Sequence, residues 1–191
     1  MYIVQLIILL FFLDPDTENL GGNELVRNEN HVITYECFED RIEFVIDVIG
    51  DRTDNTNGKW PNLDYFYLWV DFNNNGKLDS LIDRNFGPKF YNNKLQVCKS
   101  LLYSKTRQTT CFFNSNSTCH RQFKKTQNLE IDHVVFEISI PKKELSKSNS
   151  YNVYFMIADK YSKTYYPINN IKFEATFKIE CNNISTEQML K

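Results

Sequence analysis

Only three histidines, His31, His120 and His133, occur in the 191 residues, and they are scattered. The chain has no His-Glu-x-x-His and no Gly-x-Ser-x-Gly, so the signatures of a zinc hydrolase and of a serine nucleophile elbow are both missing. No Cys-x-x-Cys or Cys/His cluster has zinc-ligand spacing, and Cys119-His120 stands without partners nearby. Net charge is −2 with no basic run interleaved with aromatics, which argues against a nucleic-acid surface. There is no long amphipathic helical pattern, no internal repeat and no second domain. The best helical stretch is one turn at residues 141–145, with Pro141 at its first position. Nor does an apolar run reach a comfortable bilayer span, so no stable membrane span is expected. Residues 1–13 are apolar and stop at Asp14. They match the apolar core of a secretory signal but lack a basic start and a small-x-small cleavage site; a buried N-terminal strand is the other reading.

What is present is β-prone. Tyr and Phe are abundant, and Asn and Ser fill the gaps between β-forming runs. Residues 41–48 alternate, with Ile42, Phe44, Ile46 and Val48 on one face and Arg41, Glu43 and Asp47 on the other. Residues 133–140 repeat this, with Val134, Phe136, Ile138 and Ile140 inward and Glu137 and Ser139 outward. So do residues 172–180, with Phe173, Ala175, Phe177 and Ile179 inward. Strands with one wet face belong to antiparallel sheets packed as a sandwich. Residues 65–70 and 151–158 are apolar on both faces and read as central strands or as strands whose outer face is covered. The expected fold is all-β, an antiparallel two-sheet sandwich of jelly-roll or immunoglobulin-like type. Residues 14–30 read as a polar linker, 31–183 as the sandwich, about 91–128 as a Cys-rich insertion within it, and 184–191 as a tail.

The strand at residues 65–70 runs into Asp71-Phe72-Asn73-Asn74-Asn75-Gly76-Lys77-Leu78-Asp79. Asp71, Asn73 and Asn75 alternate, so their side-chain oxygens can converge on one hard cation. Gly76 supplies a sharp turn, Lys77 a carbonyl and Asp79 a further oxygen. The match to a calcium helix–loop–helix fails twice: position twelve is Ile82, with Asp83 one residue late, and a strand precedes the loop. Asn75-Gly76 is also a strong turn dipeptide, so the loop reads either as a calcium site or as a metal-free turn.

Five cysteines, Cys37, Cys98, Cys111, Cys119 and Cys181, fit two disulfides and a leftover thiol in an exported protein. A hairpin turning at Ser104-Lys105 sets Cys98 opposite Cys111. Cys37 and Cys181 lie near the ends of the first and last strands, where a bridge would staple the termini. Some of the five read equally as buried free thiols. Asn116-Ser117-Thr118 and Asn183-Ile184-Ser185 are N-glycosylation sequons, meaningful where a eukaryote exports the chain.

The order of elements adds a resemblance. Phe136-Glu137-Ile138-Ser139-Ile140-Pro141-Lys142-Lys143-Glu144-Leu145 is followed by Tyr151-Asn152-Val153-Tyr154-Phe155-Met156-Ile157-Ala158-Asp159. A strand ending Ile-Pro-x-x-x-Leu before a strand ending in Asp resembles the C-terminal half of DOMON-like and family 9 carbohydrate-binding-module-like sandwiches, over roughly residues 31–180. The resemblance implies an extracellular or cell-surface module that binds a sugar or, in some relatives, haem; the Cys-rich segment departs from the pattern. Haem would need axial ligands, and Met156 with His133 is the pair to test.

Sugar binding needs a flat aromatic ring beside polar groups. Tyr65, Tyr67 and Trp69 share one face of their strand, and Trp60, Tyr161, Tyr165 and Tyr166 are loop aromatics able to rim it; core packing is the competing role. Carboxylate pairs such as Asp64/Asp71 or Glu137/Asp159 could serve a glycosidase, and solvated charge is their default. The expectation is a secreted or cell-surface, non-catalytic, calcium-stabilised module that binds carbohydrate. A structural or adhesive domain that binds a cell-surface protein is the alternative.

Overall fold

The computed structural model describes residues 22–54, 64–76, 82–91, 94–99, 110–112, 116–158, 163–167 and 176–181, with backbone alone for 88–91, 94–99 and 110–112. Its strands are β1 Asn23–Arg27, β2 Val32–Cys37, β3 Arg41–Val48, β4 Tyr65–Asp71, β5 Arg84–Tyr91 and β6 Lys94–Lys99. They continue as β7 Thr110–Phe112, β8 Thr118–Thr126, β9 Leu129–Pro141, β10 Ser150–Ala158, β11 Lys163–Tyr166 and β12 Phe177–Glu180. The helical turn expected after Pro141 is a 3-10 turn at Lys142–Glu144. No described helix is long and apolar enough to cross a membrane.

The fold is an all-β, two-sheet sandwich. One sheet runs β1-β2-β3-β9-β8 and the other β6-β5-β4-β10-β11, with β12 also beside β10 and β7 beside β6; every described pairing is antiparallel. The hydrogen-bonded path is nevertheless continuous. Lys94 of β6 pairs with Thr118 of β8, the single register pair that links the two sheets. The chain passes between sheets three times, from β3 to β4, from β7 to β8 and from β9 to β10. Strands that return to a sheet pair in register with strands distant in sequence, β9 against β3 and β10 against β4.

Period-two alternation fills the space between the sheets. Ile42, Phe44 and Ile46 of β3 and Val134, Phe136, Ile138 and Ile140 of β9 meet Phe66, Leu68 and Val70 of β4 and Val153, Phe155 and Ile157 of β10. Edge-to-face contacts cross the gap at Phe66–Phe136 (5.2 Å between centroids) and Phe44–Phe155 (5.7 Å). Each such buried side chain contributes about 1.5–3 kcal/mol of apolar transfer.

The side away from the β6–β8 junction is clasped by side chains. Cys37 at the end of β2 is bonded to Cys181 just past β12, as expected from their positions near the first and last strands. The bridge spans a sequence separation of 144, so its restriction of the unfolded chain is worth up to about 5 kcal/mol on the loop-entropy account. At the opposite end of β2, the buried Tyr166 hydroxyl of β11 meets His31 Nδ1 at 2.9 Å and accepts from Asn28 Nδ2 at 2.8 Å.

Three features differ from the pattern reading. Residues 23–27, taken as linker, form edge strand β1, which buries little besides Val26 and so carries a polar sequence. The stretch taken as an insertion includes β8, which pairs along β9 and puts Cys119 in the core. Its alternation is hidden because Arg121, an inward-facing cation, sits between Cys119 and Phe123. Asp47, placed on the wet face of β3, is buried, because the β8–β9 turn folds over it with Thr126 and Asn128. Of residues 172–180, β12 is described and Ile179 is inward, while Phe173 and Ala175 lie outside the described residues. So do the signal-like segment 1–13 and the tail 184–191.

Candidate functional site

The loop after β4 is built on two buried carboxylates. Asp71 closes β4 and Asp83 precedes β5, 0% and 2% exposed respectively. Asp71 Oδ2 accepts the Gly76 N–H at 2.7 Å and Asn152 Nδ2 at 3.1 Å, and its Oδ1 accepts the Asn75 N–H at 3.2 Å. These donors are all neutral, so they orient the carboxylate without neutralising it. Asp83 Oδ1 accepts the Phe72 N–H at 2.8 Å, tying the two ends of the loop together. Asn73 Oδ1 accepts the Asn75 N–H at 3.3 Å.

The loop bends through two left-handed positions, Asn74 at φ 59° and Gly76 at φ 82°. A Cβ at Gly76 would meet nothing within 4 Å, so glycine is required there by backbone conformation rather than by space. Asparagine is the side chain best tolerated at the other position, and Asn74 uses its amide as well. Asn74 Nδ2 donates to the Ser150 carbonyl at 3.0 Å, and its Oδ1 accepts from Asn152 Nδ2 at 2.9 Å. Asn74 and Asn152 escape a reading of the loop alone. The signal that finds Asn152 is strand register, since β4–β10 pairing sets it opposite Asp71.

The described oxygen set is therefore Asp71, Asp83, Asn73 and Asn75, while Lys77 and Asp79 lie outside the described residues. Among the described residues, no group of three or more His, Cys, Asp or Glu side chains is arranged to hold a metal. A calcium ion here would rely on amide and carbonyl oxygens beside two carboxylates, the composition of a weak, oxygen-only site.

Next to the loop, the outer face of the second sheet is aromatic. Tyr65, Tyr67 and Trp69 share a face as their alternation predicts, and register sets Trp69 opposite Tyr154 and Tyr67 opposite Met156. Rings run in contact from Tyr67 to Trp69 (5.2 Å, stacked), on to Tyr154 (5.1 Å) and to Tyr165 (6.4 Å). Yet Tyr65 and Trp69 are only 5% and 6% exposed. Tyr65 and Trp69 therefore take the packing role: with Tyr154, Met156 and Ala158 they form a second apolar cluster. Tyr67 and Tyr165 are half-buried on its margin. Trp60 and Tyr161 lie outside the described residues.

Tyr166, also read as a rim aromatic, points the other way. Register alternation turns it into the core beside His31, and it is buried. Burial pushes its phenol up, partly offset by the hydrogen bond from Asn28. It forms the inner wall of a shallow cleft of about 480 Å³ that is lined also by Asn28, Glu29, Asn30, His31 and Thr164.

The remaining chemical candidates are tied up elsewhere. Asp64 and Asp71 stand at opposite ends of β4, roughly 23 Å apart at ~3.3 Å per residue, well beyond glycosidase spacing. Asp64 is bound instead to Arg121 Nη2 at 2.7 Å. Glu137 accepts from Lys124 Nζ at 2.7 Å and Gln122 Nε2 at 3.0 Å, and Asp159 lies outside the described residues. For haem, His133 has both ring nitrogens engaged, by Asp47 and by the Ile131 carbonyl, and Met156 belongs to the aromatic cluster of the other sheet. Cys98 does lie opposite Cys111, across β6 and β7, with their side chains outside what is described. The chain matches no family model, no curated protein and no solved structure.

Proposed function

We propose that this protein is an exported, non-catalytic interaction module whose β4–β5 loop binds calcium and whose ligand is carbohydrate. One observation carries the calcium reading: the buried Asp71 and Asp83 carboxylates stand at the two ends of one loop, with the amide oxygens of Asn73 and Asn75 between them. Two buried carboxylates at the ends of one short loop repel each other and lose hydration, and the neutral donors on Asp71 add no positive charge to offset either effect. A hard divalent ion that takes about six to eight oxygens relieves both effects. The Cys37–Cys181 bond supports export, since disulfides persist in oxidising compartments.

Carbohydrate rests on the resemblance in element order and on the cleft beside Tyr166, whose lining includes the exposed Glu29 and Asn30. A specific observation favours the second reading, an adhesive domain with a protein partner. Among the described residues, Tyr65 and Trp69 are buried, which leaves little ring face for a sugar to stack on. A glycan array run beside a protein pull-down separates the two. Saturable glycan binding supports the first, and a silent array with a reproducibly captured cell-surface protein replaces it with the second.

A further inference from the structure

We infer that Asn116 carries an N-linked glycan. The sequon Asn116-Ser117-Thr118 leads into β8, and the structure gives its three residues three different environments. Ser117 is fully buried and Asn116 is exposed, so the backbone turns the Asn116 side chain to solvent as it turns Ser117 inward. Thr118, which supplies the hydroxyl the sequon requires, opens β8 and pairs with Ser139 of β9.

The segment is pinned from beneath rather than from outside. Glu144, in the 3-10 turn, accepts the Asn116 N–H at 2.5 Å and the Ser117 hydroxyl at 2.8 Å. Its own carbonyl accepts from Arg84 Nη1 at 3.0 Å, which links the sequon to the start of β5. Both anchors use the backbone of Asn116 and the side chain of Ser117. The Asn116 side-chain amide takes no part in them, so a glycan on that nitrogen breaks no hydrogen bond among the described residues. A folded domain that keeps a sequon amide outward and unused while fixing its main chain is compatible with a large substituent there.

The modification joins the Asn116 side-chain nitrogen to the anomeric carbon of an oligosaccharide. The donor is a lipid-linked pyrophosphate oligosaccharide: the C–O bond to pyrophosphate breaks, lipid pyrophosphate leaves, and the amide nitrogen loses one proton. No oxidant or reductant is involved. The inference shares the export component of the proposed function and is independent of calcium and of ligand.

The test uses protein isolated from its source cells and digested with peptide N-glycosidase in heavy-oxygen water. The expected result is recovery of position 116 mainly as heavy-labelled aspartate, together with a loss of mass from the intact chain. Asn116→Gln, expressed in the same cells, should lose that mass difference and keep its melting temperature. Exported protein with unmodified Asn116 overturns the glycan alone. Protein found in the cytosol with Cys37 and Cys181 reduced overturns the export reading, and the glycan with it.

Discussion

His133 Nε2 is hydrogen-bonded to Asp47 Oδ1 in the first sheet, both residues fully buried, while His133 Nδ1–H donates to the Ile131 carbonyl at 2.6 Å. The second carboxylate oxygen of Asp47 accepts the Thr126 hydroxyl and the Asn128 side-chain amide, each at 2.7 Å. One carboxylate thus joins β3, β9 and the β8–β9 turn. Its sequence neighbours place it on a wet face, yet the turn covers it, so its hydrogen-bond capacity is met by protein rather than by water.

Asp47→Ala leaves the buried His133 imidazole and the half-buried Thr126 hydroxyl and Asn128 amide without their acceptor. Removing one partner of a buried pair costs about 3–5 kcal/mol. Urea denaturation should show a loss of that size. A loss under about 1 kcal/mol would mean that water reaches these groups, against the burial described.

Trp69→Ala discriminates the two roles of the aromatic face. Trp69 stacks on Tyr67 and contacts Tyr154 within a buried cluster, so truncation should cost about 3–5 kcal/mol of stability. An exposed sugar platform would behave differently, losing glycan affinity with the melting curve little changed.

Thiol chemistry reports the cysteine assignments. Cys119 lies in the core, where burial, aided by the Glu137 charge, pushes its thiol well above the ordinary range. The native protein should therefore not react at Cys119 with iodoacetamide at mildly alkaline pH, since the thiolate is the nucleophile. Unfolding without reductant should expose Cys119 alone to alkylation. Peptide mapping should then recover Cys37 joined to Cys181, and Cys98 joined to Cys111 as their strand register predicts. Rapid native labelling of Cys119 would contradict its burial, and free Cys98 and Cys111 after unfolding would contradict the second bridge.

Much of the sandwich is legible in the sequence because its inner faces are made by plain alternation. Ile42, Phe44 and Ile46, and Val134 through Ile140, need no tertiary information to be placed. Legibility fails where tertiary contacts override the pattern. Arg121 points inward because Asp54 and Asp64 receive it at 3.0 and 2.7 Å, and that breaks the apolar rhythm of β8. The aromatics of β4 are legible as sharing a face and as candidates for either packing or display, but the neighbours that pack them, Tyr154 and Met156, come through register from chain distant in sequence. The loop after β4 shows the same division. Asp71, Asn73 and Asn75 declare themselves by spacing, whereas Asn152 joins them through β-sheet register 81 residues away.

The account turns on whether the Asp71 loop binds calcium. Differential scanning calorimetry of chelator-treated protein, with and without about 10 mM calcium, tests it most directly, with magnesium as control. For a site of ~10⁻⁴ M affinity, that concentration stabilises the native state by about 2.7 kcal/mol. The melting temperature should rise by roughly 5–10 °C. Asn73→Ala with Asn75→Ala, which spares the Asp71 and Asp83 carboxylates, should melt near the chelated wild type and respond little to calcium. An unchanged wild-type melting temperature at saturating calcium would contradict the account and leave the loop as a metal-free turn held by Asp71 and Gly76.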